Sequence, residues 1–154
     1  MIVAWRVVKE KHAPDAFSGD GARLYGGRWN HAGTRVVYVG GSLALAALEL
    51  FVHVDRAEAA LRFAAIRVEI PSRLKIDTLA RADLPAEWRS EPAPDATRRL
   101  GTEWVTRGAA CVLRVPSVIV PVEDNYLLNP AHPDFARLKI APPEPFGFDP
   151  RVWK

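Results

Sequence analysis

Short β-rich segments, broken repeatedly by proline and glycine, are the feature of this sequence that most constrains its fold. Seven segments are rich in β-branched and aromatic residues: 2–8, 35–39, 63–70, 74–79, 110–115, 117–122 and 135–140. Helices are predicted only over 43–54, with Ser42 as the N-cap, and over 95–107, which ends before Gly108. Strands thus precede and interrupt the helices without regular β-α-β alternation. This order predicts an α+β fold with a mostly antiparallel, twisted sheet and flanking helices.

Glycine and proline also predict where the chain is irregular. Residues 18–33 hold five glycines and are predicted as a loop. Pro116 and Pro121 favour sheet edges or bulges for the strands around them, because proline cannot donate a hydrogen bond to a neighbouring strand. Six prolines between Pro130 and Pro150 predict a tail that runs extended along the body of the protein.

The composition fits one globular domain over residues 1–154 and excludes several classes of protein. Of the 154 residues, 49% are apolar and 25% are charged, which rules out wholesale disorder or a fibre. Cys111 is the only cysteine, so neither an internal disulfide framework nor a cysteine-rich zinc site is expected. The four histidines are scattered, and no metal site is predicted. Without a secretory signal or a long apolar run, we expect a cytoplasmic protein with no membrane partner.

The charge balance bears on the ligand. The formal net charge is +3, and the 21 basic residues are 16 Arg and 5 Lys. This excess is too small to predict binding to nucleic acid, and no basic run exceeds Arg98-Arg99. It is compatible with an anionic small molecule.

Glu49 is the only acidic residue in the predicted helix 43–54, which is apolar nearly all round and should therefore be largely buried. Burying a lone carboxylate costs several kcal/mol unless it is paired. Two interpretations follow. Glu49 lies on a narrow exposed stripe with His53, or it is a carboxylate held at the edge of a cleft.

Three further positions stand out. Gly26-Gly27 lets the backbone turn tightly or approach a ligand, and Arg28 then presents a fork suited to phosphate, although such loops also occur on plain surfaces. Strand alternation places Tyr38 with Val36 on one face, where a core tyrosine is the simpler interpretation. Ser117 follows Pro116 in an apolar segment, and no Gly-x-Ser-x-Gly elbow surrounds it. Neither a P-loop nor a Rossmann glycine fingerprint is present.

Together these segments resemble the RES domain family, almost from end to end. The resemblance rests on Trp5-Arg6, Gly26-Gly27-Arg28-Trp29-Asn30, Val37-Tyr38-Val39, Ala47-Leu48-Glu49, Leu84-Pro85, Gly101-Thr102-Glu103-Trp104, Val115-Pro116-Ser117, Asn125-Tyr126-Leu127-Leu128-Asn129-Pro130 and Phe148-Asp149-Pro150-Arg151. The family is named for an Arg, a Glu and a Ser, which correspond to Arg28, Glu49 and Ser117, with Tyr38 as a further site residue. The resemblance implies the mono-ADP-ribosyltransferase fold.

The resemblance also implies a function. RES proteins are toxins of bacterial toxin–antitoxin pairs, whose partner is an Xre-type helix-turn-helix antitoxin, and they consume NAD as substrate. Some cleave it with water or phosphate as acceptor, and others transfer ADP-ribose to a protein. The family also implies self-association. A non-catalytic nucleotide-binding or interaction module remains a further hypothesis, whereas a toxin acting on RNA is disfavoured by the modest charge.

Each candidate residue has a physical role in NAD cleavage. Glu49 would accept a hydrogen bond from the ribose 2′-hydroxyl and stabilise the positive charge that develops as the nicotinamide–ribose bond breaks. Arg28 would bind the phosphates. Tyr38 would stack on nicotinamide or orient the sugar, Ser117 would position Glu49 or contact substrate, and Asn125 would make polar contacts in the same cleft.

Overall fold

The computed structural model of the chain describes residues 1–153, and the side chains of all of these except Ala59. Within this range the strands are β1 (Ile2–Lys9), β2 (Val37–Gly40), β3 (Phe63–Ile70), β4 (Ile76–Thr78), β5 (Val112–Pro116), β6 (Asp124–Leu128), β7 (Lys139–Ile140) and β8 (Glu144–Phe146). The α-helices are α1 (Asp20–Tyr25), α2 (Leu43–Phe51) and α3 (Asp95–Arg107). Lys154 lies outside the described residues, and the predicted domain boundaries, 1–154, stay a prediction.

All eight strands join one sheet, in the order β4-β5-β6-β2-β1-β3-β7, with β8 also paired to β3. Every pairing is antiparallel except that of β4 with β5. The long central ladder aligns all of β1 with β3, from Ile2 opposite Ile70 to Lys9 opposite Phe63. The predicted α+β class with a mostly antiparallel sheet is confirmed, and the one parallel pair makes the sheet mixed.

Side-chain alternation along β2 divides the core into two sides. Val37 and Val39 are buried with Val68 and Leu128 on one face of the sheet. Val36 and Tyr38 pack on the other face, in a cluster that holds three of the tryptophans: Trp29, Trp88 and Trp104. The alternation predicted for this strand is therefore correct, and it places the Tyr38 ring on the face with these tryptophans.

Helix α2 begins where its sequence predicts but is less buried than expected. The Ser42 hydroxyl oxygen accepts a hydrogen bond from the backbone N–H of Leu45 at 3.0 Å, which satisfies one of the free donors of the first turn. Only Leu45 and Ala46 are buried, whereas Leu48 and Val52 are 38% and 54% exposed. The prediction of a largely buried helix is wrong, because α2 packs one face against β1 and β2 and leaves the other uncovered.

Helix α3 matches its prediction at both ends. It begins at Asp95 and ends before Gly108, whose φ of 62° lies in the left-handed region that terminates many helices. Leu100 and Trp104, one turn apart, pack in the same cluster as Trp29. Gly101 lies between them against the loop that holds Trp29.

The predicted loop 18–33 contains α1, so that prediction is wrong in part. Gly19 and Gly26, with φ of 77° and 71°, stand immediately before and after this short helix. The Ser18 hydroxyl oxygen accepts a hydrogen bond from the Asp20 N–H at 3.1 Å. The glycines therefore mark the two ends of a helix rather than a continuous loop.

The segment 117–122 is a turn rather than a strand, which corrects a second prediction. The Ser117 hydroxyl oxygen accepts the backbone N–H groups of Ile119 and Val120 at 3.1 and 3.0 Å, and these bonds fold the chain back locally. The strand lies further on, in β6. Segment 112–116 is also not an edge, since β5 lies between β4 and β6, and Pro116 is tolerated there as its last residue.

The proline-rich tail runs along β3, where β7 and β8 add short strands. The strand predicted over 135–140 is reduced to its last two residues because a 3-10 helix covers Pro133–Arg137. Beyond β8, Phe148 and Trp153 pack against Phe51 at the end of α2, with ring centroids 5.8 and 4.9 Å away. We call these three residues, together with Phe146, the aromatic clasp.

Candidate functional site

A cavity of about 840 Å³ opens on the sheet between β1, β2, α1 and α2. This volume is within the usual range for small-molecule sites, roughly 300–1,000 Å³. Four of the five predicted site residues line it: Arg28, Tyr38, Glu49 and Asn125. Ser117 is fully buried behind it. The structure thus brings together residues from β2, α2, β6, the turn between β5 and β6, and the loop of residues 26–30, which we call the glycine loop.

Glu49 projects from α2 and is half-buried. Its Oε1 atom accepts a hydrogen bond from the Ser117 hydroxyl at 2.7 Å and another from the Asn125 amide at 2.6 Å. Both bonds fall on one oxygen, and Oε2 has no hydrogen-bond partner among the described residues. The carboxylate is therefore held in place with one acceptor atom still available, as the cleft interpretation of Glu49 requires.

Ser117 and Asn125 reach Glu49 because β5 and β6 pair at their adjoining ends. Val115 lies opposite Asn125 in that ladder, and Ser117 follows it by two residues. Besides donating to Glu49, the Ser117 hydroxyl accepts the two N–H groups of the following turn, so its orientation is fixed. Ser117 contacts the carboxylate rather than the cavity. Asn125 Oδ1 is buried without a hydrogen-bond partner among the described residues.

Tyr38 forms a wall of the cavity through a fixed ring. Its hydroxyl donates to Asn30 Oδ1 at 2.5 Å and accepts the Trp29 N–H at 3.2 Å. Burial raises the pKa of Tyr38 above that of a free tyrosine, so the hydroxyl remains protonated at neutral pH. A side chain at Gly27 would come within 2.7 Å of this hydroxyl, which explains why the turn has no side chain there.

Arg28 faces the cavity but already has protein partners. Its guanidinium donates to the carbonyl oxygens of Trp88 and Ser90 at 2.9 and 2.7 Å, and to the Glu91 carboxylate at 2.8 Å. The Arg28 side chain is 13% exposed, whereas that of Glu91 is 82% exposed. A phosphate at Arg28 would therefore compete with a solvent-exposed carboxylate, and a surface carboxylate is a weak competitor.

Sequence reasoning missed three residues of this site, and the first is Arg6 of β1. Arg6 Nη1 donates to the Tyr38 carbonyl at 2.9 Å, and Nε is buried without a hydrogen-bond partner among the described residues. Burial lowers the pKa of Arg6 to about 10. A single charged residue within the apolar predicted strand 2–8 was the sequence signal that could have identified Arg6 as a site residue. Arg98 of α3 also lines the cavity.

Asn30 is the third missed residue, and it lies beneath the cavity. Its side chain is fully buried, and Nδ2 donates to the carbonyl oxygens of Ala22, His31 and Thr34 at 2.9 to 3.2 Å. These bonds tie the glycine loop to the end of α1. The buried Asn30 therefore fixes the loop that presents Arg28.

Two features that the described residues lack bear on the kind of site. They contain no group of three or more His, Cys, Asp and Glu side chains arranged to hold a metal ion. No α-helix within them has both the length and the apolarity needed to cross a bilayer. Cys111 is buried, and burial raises its pKa to about 11, so the thiol is neutral at physiological pH.

Comparison with known proteins gives consistent matches over the whole chain. A family model described as the RES domain matches residues 3–149. A Yersinia enterocolitica protein named Toxin Res is 40% identical over 98% of this chain and 99% of its own. A Sphingobium protein named Prs ADP-ribosylating toxin is 36% identical, covering 96% and 94% of the two chains.

One solved structure shares the fold. A chain of the Mycobacterium tuberculosis MbcT–MbcA toxin–antitoxin complex superposes with a TM-score of 0.73 and 18% identity. The match covers 94% of this chain and 84% of that one. At this identity the likeness establishes the fold and not the activity.

Proposed function

Because the chain belongs to the RES domain family, we propose that it is the toxin of a toxin–antitoxin pair and that it cleaves the nicotinamide–ribose bond of NAD. The observation that supports this most directly is the Glu49 carboxylate. It is fixed by Ser117 and Asn125 at the wall of a cavity that three arginines also line. The names of the similar proteins, Toxin Res and Prs ADP-ribosylating toxin, agree with it.

The proposed reaction breaks the bond between ribose C1′ and the nicotinamide nitrogen. The bonding electrons leave with that nitrogen, so nicotinamide departs neutral and positive charge develops on C1′ and the ring oxygen. An acceptor oxygen then bonds to C1′ and releases its proton. In the transition state the positive charge of the nicotinamide ring has moved onto the ribose. A preorganised carboxylate beside the ribose stabilises this transition state more than the substrate, and this difference is what accelerates the reaction.

Glu49 is the residue that we assign to this charge. Its Oε2 atom would accept a hydrogen bond from the ribose 2′-hydroxyl, while Oε1 keeps its hydrogen bonds from Ser117 and Asn125. Ser117 is then a positioning residue. Asn125 also holds Oε1 through its amide nitrogen, and as a residue of the cavity lining it would make polar contacts with the substrate.

Arg28 and Tyr38 are assigned to binding. Arg28 would exchange its bond to the exposed Glu91 for one to a substrate phosphate. The Tyr38 hydroxyl is occupied by Asn30 and the Trp29 N–H, so its ring rather than its hydroxyl is free to contact nicotinamide. This favours stacking over the alternative role in orienting the sugar.

A second candidate function is mono-ADP-ribosylation of a protein, with the same bond broken and a protein side chain as acceptor. The 36% identity to a relative named as an ADP-ribosylating toxin favours it. A non-catalytic nucleotide-binding or interaction module is the alternative without chemistry. It predicts NAD binding without nicotinamide release.

We also propose that an Xre-type helix-turn-helix antitoxin covers the cavity. Leu48 on α2 and Val52 directly after it form an exposed apolar surface, and Val52 lines the rim of the cavity. An antitoxin segment could cover the apolar surface and at the same time fill the polar cavity beside it. We also propose that the protein self-associates and that it is located in the cytoplasm.

Nicotinamide release from NAD by the purified chain tests this function. With the wild-type chain we expect turnover, and with Glu49→Gln a loss of about 10²–10³-fold, because one preorganised group of the site is neutralised. Glu103→Gln is the matched control, since Glu103 is exposed on α3 away from the cavity lining. Its rate should match the wild type.

The product distinguishes the acceptors. Free ADP-ribose indicates that water is the acceptor, and ADP-ribose 1″-phosphate indicates that phosphate is the acceptor. ADP-ribose attached to protein, found by mass spectrometry, indicates the second candidate function. Folded wild-type protein that binds NAD but releases no nicotinamide, in buffer or in cell extract, would contradict both enzymatic proposals.

A further inference from the structure

We propose that Arg98 on α3 binds the diphosphate of the substrate, and thereby selects dinucleotides over ligands without phosphate. This inference rests on the proposed function and adds to it a residue that the family resemblance does not assign. It is carried by an unpaired guanidinium at the wall of the cavity.

Arg98 lies in the first turns of α3 and is half-buried. It lines the same cavity as Glu49, and its Nε is buried without a hydrogen-bond partner among the described residues. No carboxylate of the described residues forms a salt bridge with it. Since a partly buried charge without a partner is unfavourable, this arrangement suits an anionic ligand.

The other cavity arginines are bound to the protein to a greater degree. Arg28 donates to two carbonyl oxygens and one carboxylate, and Arg6 donates to the Tyr38 carbonyl. Arg98 has no recorded side-chain hydrogen bond within the described part of the chain. Of the three guanidiniums, it therefore has the most donors available for a ligand.

The acidic residues near the cavity do not neutralise Arg98. Asp20 binds Arg23 and Arg35, and Glu91 binds Arg28. Asp15 also lines the cavity, and within the described part of the chain it forms no salt bridge with Arg98. Glu49 receives its hydrogen bonds from Ser117 and Asn125. The positive charge of Arg98 is thus left facing the cavity.

Helix α3 holds Arg98 in a defined place. A side chain at Gly101 would overlap the Trp29 carbonyl oxygen, so the helix lies directly against the loop that presents Arg28. Buried Thr97 donates its hydroxyl to the Pro94 carbonyl at 3.0 Å and fixes the first turn. Both Arg28 and Arg98 act electrostatically on the Tyr38 hydroxyl, each lowering its pKa against the larger effect of burial. Both guanidiniums line the same cavity, which suits a ligand with two successive phosphates.

Binding of NAD and of nicotinamide riboside, measured by calorimetry in the Glu49→Gln background, tests the proposal without turnover. Arg98→Gln should weaken NAD binding about 10- to 100-fold, which is the usual effect of losing charged hydrogen bonds. Nicotinamide riboside, which has no phosphate, should bind equally to both proteins. Arg98→Lys should give an intermediate affinity for NAD, since it keeps the charge but not the fork.

The neighbouring arginine provides the control. Arg99 is 62% exposed and pairs with Asp95 on the outer side of the same helix, so Arg99→Gln should bind NAD within about twofold of its parent. Equal weakening of both ligands by Arg98→Gln, or unchanged NAD affinity, would overturn the role of Arg98 alone. Absence of NAD binding to the wild-type chain and to the Glu49→Gln parent would overturn the proposed function as well.

Discussion

Tyr38 and Asn30 form a buried polar pair on which the shape of the cavity depends. The tyrosine hydroxyl donates to Asn30 Oδ1, and the asparagine amide donates to the backbone carbonyls of Ala22, His31 and Thr34. Each recorded donor and acceptor of this network has a partner, which is the condition under which a buried polar network is favourable. The network connects the ring that lines the cavity to the loop that presents Arg28.

Tyr38→Phe tests this pair at the scale of a single atom. The ring stays, but Asn30 Oδ1 loses its donor and becomes a buried unsatisfied acceptor. We expect the free energy of unfolding to fall by about 1–3 kcal/mol, measured by urea denaturation. Tyr25→Phe is the control: its ring is 86% exposed, so removal of the hydroxyl should change stability by no more than ~0.5 kcal/mol. Equal effects of the two substitutions would contradict the network.

Polar residues within apolar segments could be predicted as site residues, whereas Arg98 could not. Glu49, Tyr38 and Ser117 stand out because their neighbours are apolar, and the structure brings all three to one cavity or directly behind it. Arg98 is one of 16 arginines, and nothing in its local sequence separates it from exposed Arg99. Which arginine faces inward depends on how α3 packs, and that is a tertiary property.

At the scale of elements, the contact between α3 and the glycine loop is the closest in the site. Gly101 allows the helix backbone to lie against the Trp29 carbonyl. Trp29 and Trp104 are buried on either side of this contact, in one cluster with Leu113. His31 reinforces it through Nδ1 to the Thr102 hydroxyl and Nε2 to Asp95, at 3.0 and 2.7 Å.

Gly101→Ala should separate these two elements. The added methyl group overlaps backbone rather than a movable side chain, so we expect stability to fall by on the order of 3 kcal/mol. Gly21→Ala in α1 is the matched control, because its new methyl group would meet no atom within 4 Å. Helix propensity should then leave stability unchanged or raise it by up to ~1 kcal/mol. Thermal unfolding of the two variants beside the wild type checks both outcomes, and a tolerated Gly101→Ala would contradict the close contact.

Element ends were more predictable than element burial. Ser42 and Gly108 mark helix ends through local hydrogen bonds and backbone conformation, which depend on few residues. The exposure of α2 depends on what the rest of the chain leaves uncovered, so its apolar sequence predicted burial wrongly. Segment 117–122 has the composition of a strand, but the Ser117 side chain supplies competing hydrogen bonds and makes a turn.

At the scale of the whole molecule, the end of the chain closes over the helix that carries Glu49. The aromatic clasp places Phe148 and Trp153 against Phe51, two residues after Glu49. Phe148 also packs edge-on against Phe63 of β3 and Phe146 of β8, with centroids 5.4 Å apart in each case. Three distant parts of the sequence therefore share one aromatic cluster.

Trp153→Ala should weaken the packing of the tail against α2, because it removes the ring contact with Phe51. The indole is half-buried, so we expect a loss of about 2 kcal/mol of stability, less than for a fully buried tryptophan. Limited proteolysis should then cut the tail after β8 sooner than in the wild type. Val152→Ala serves as the control because Val152 is 46% exposed and should leave both measurements unchanged. Identical proteolysis of wild type and Trp153→Ala would show that the clasp does not hold the tail.

The two hydrogen-bond partners of Glu49 lie 68 and 76 residues beyond it in the chain. At a synthesis rate of about 5–20 residues per second, the ribosome finishes Asn125 roughly 4–15 s after Glu49. During that interval the nascent polypeptide contains the carboxylate but neither of the groups that orient it. Translation that stops before Asn125 therefore yields a fragment without the complete site, and the order of synthesis delays assembly of the site until Asn125 has been added.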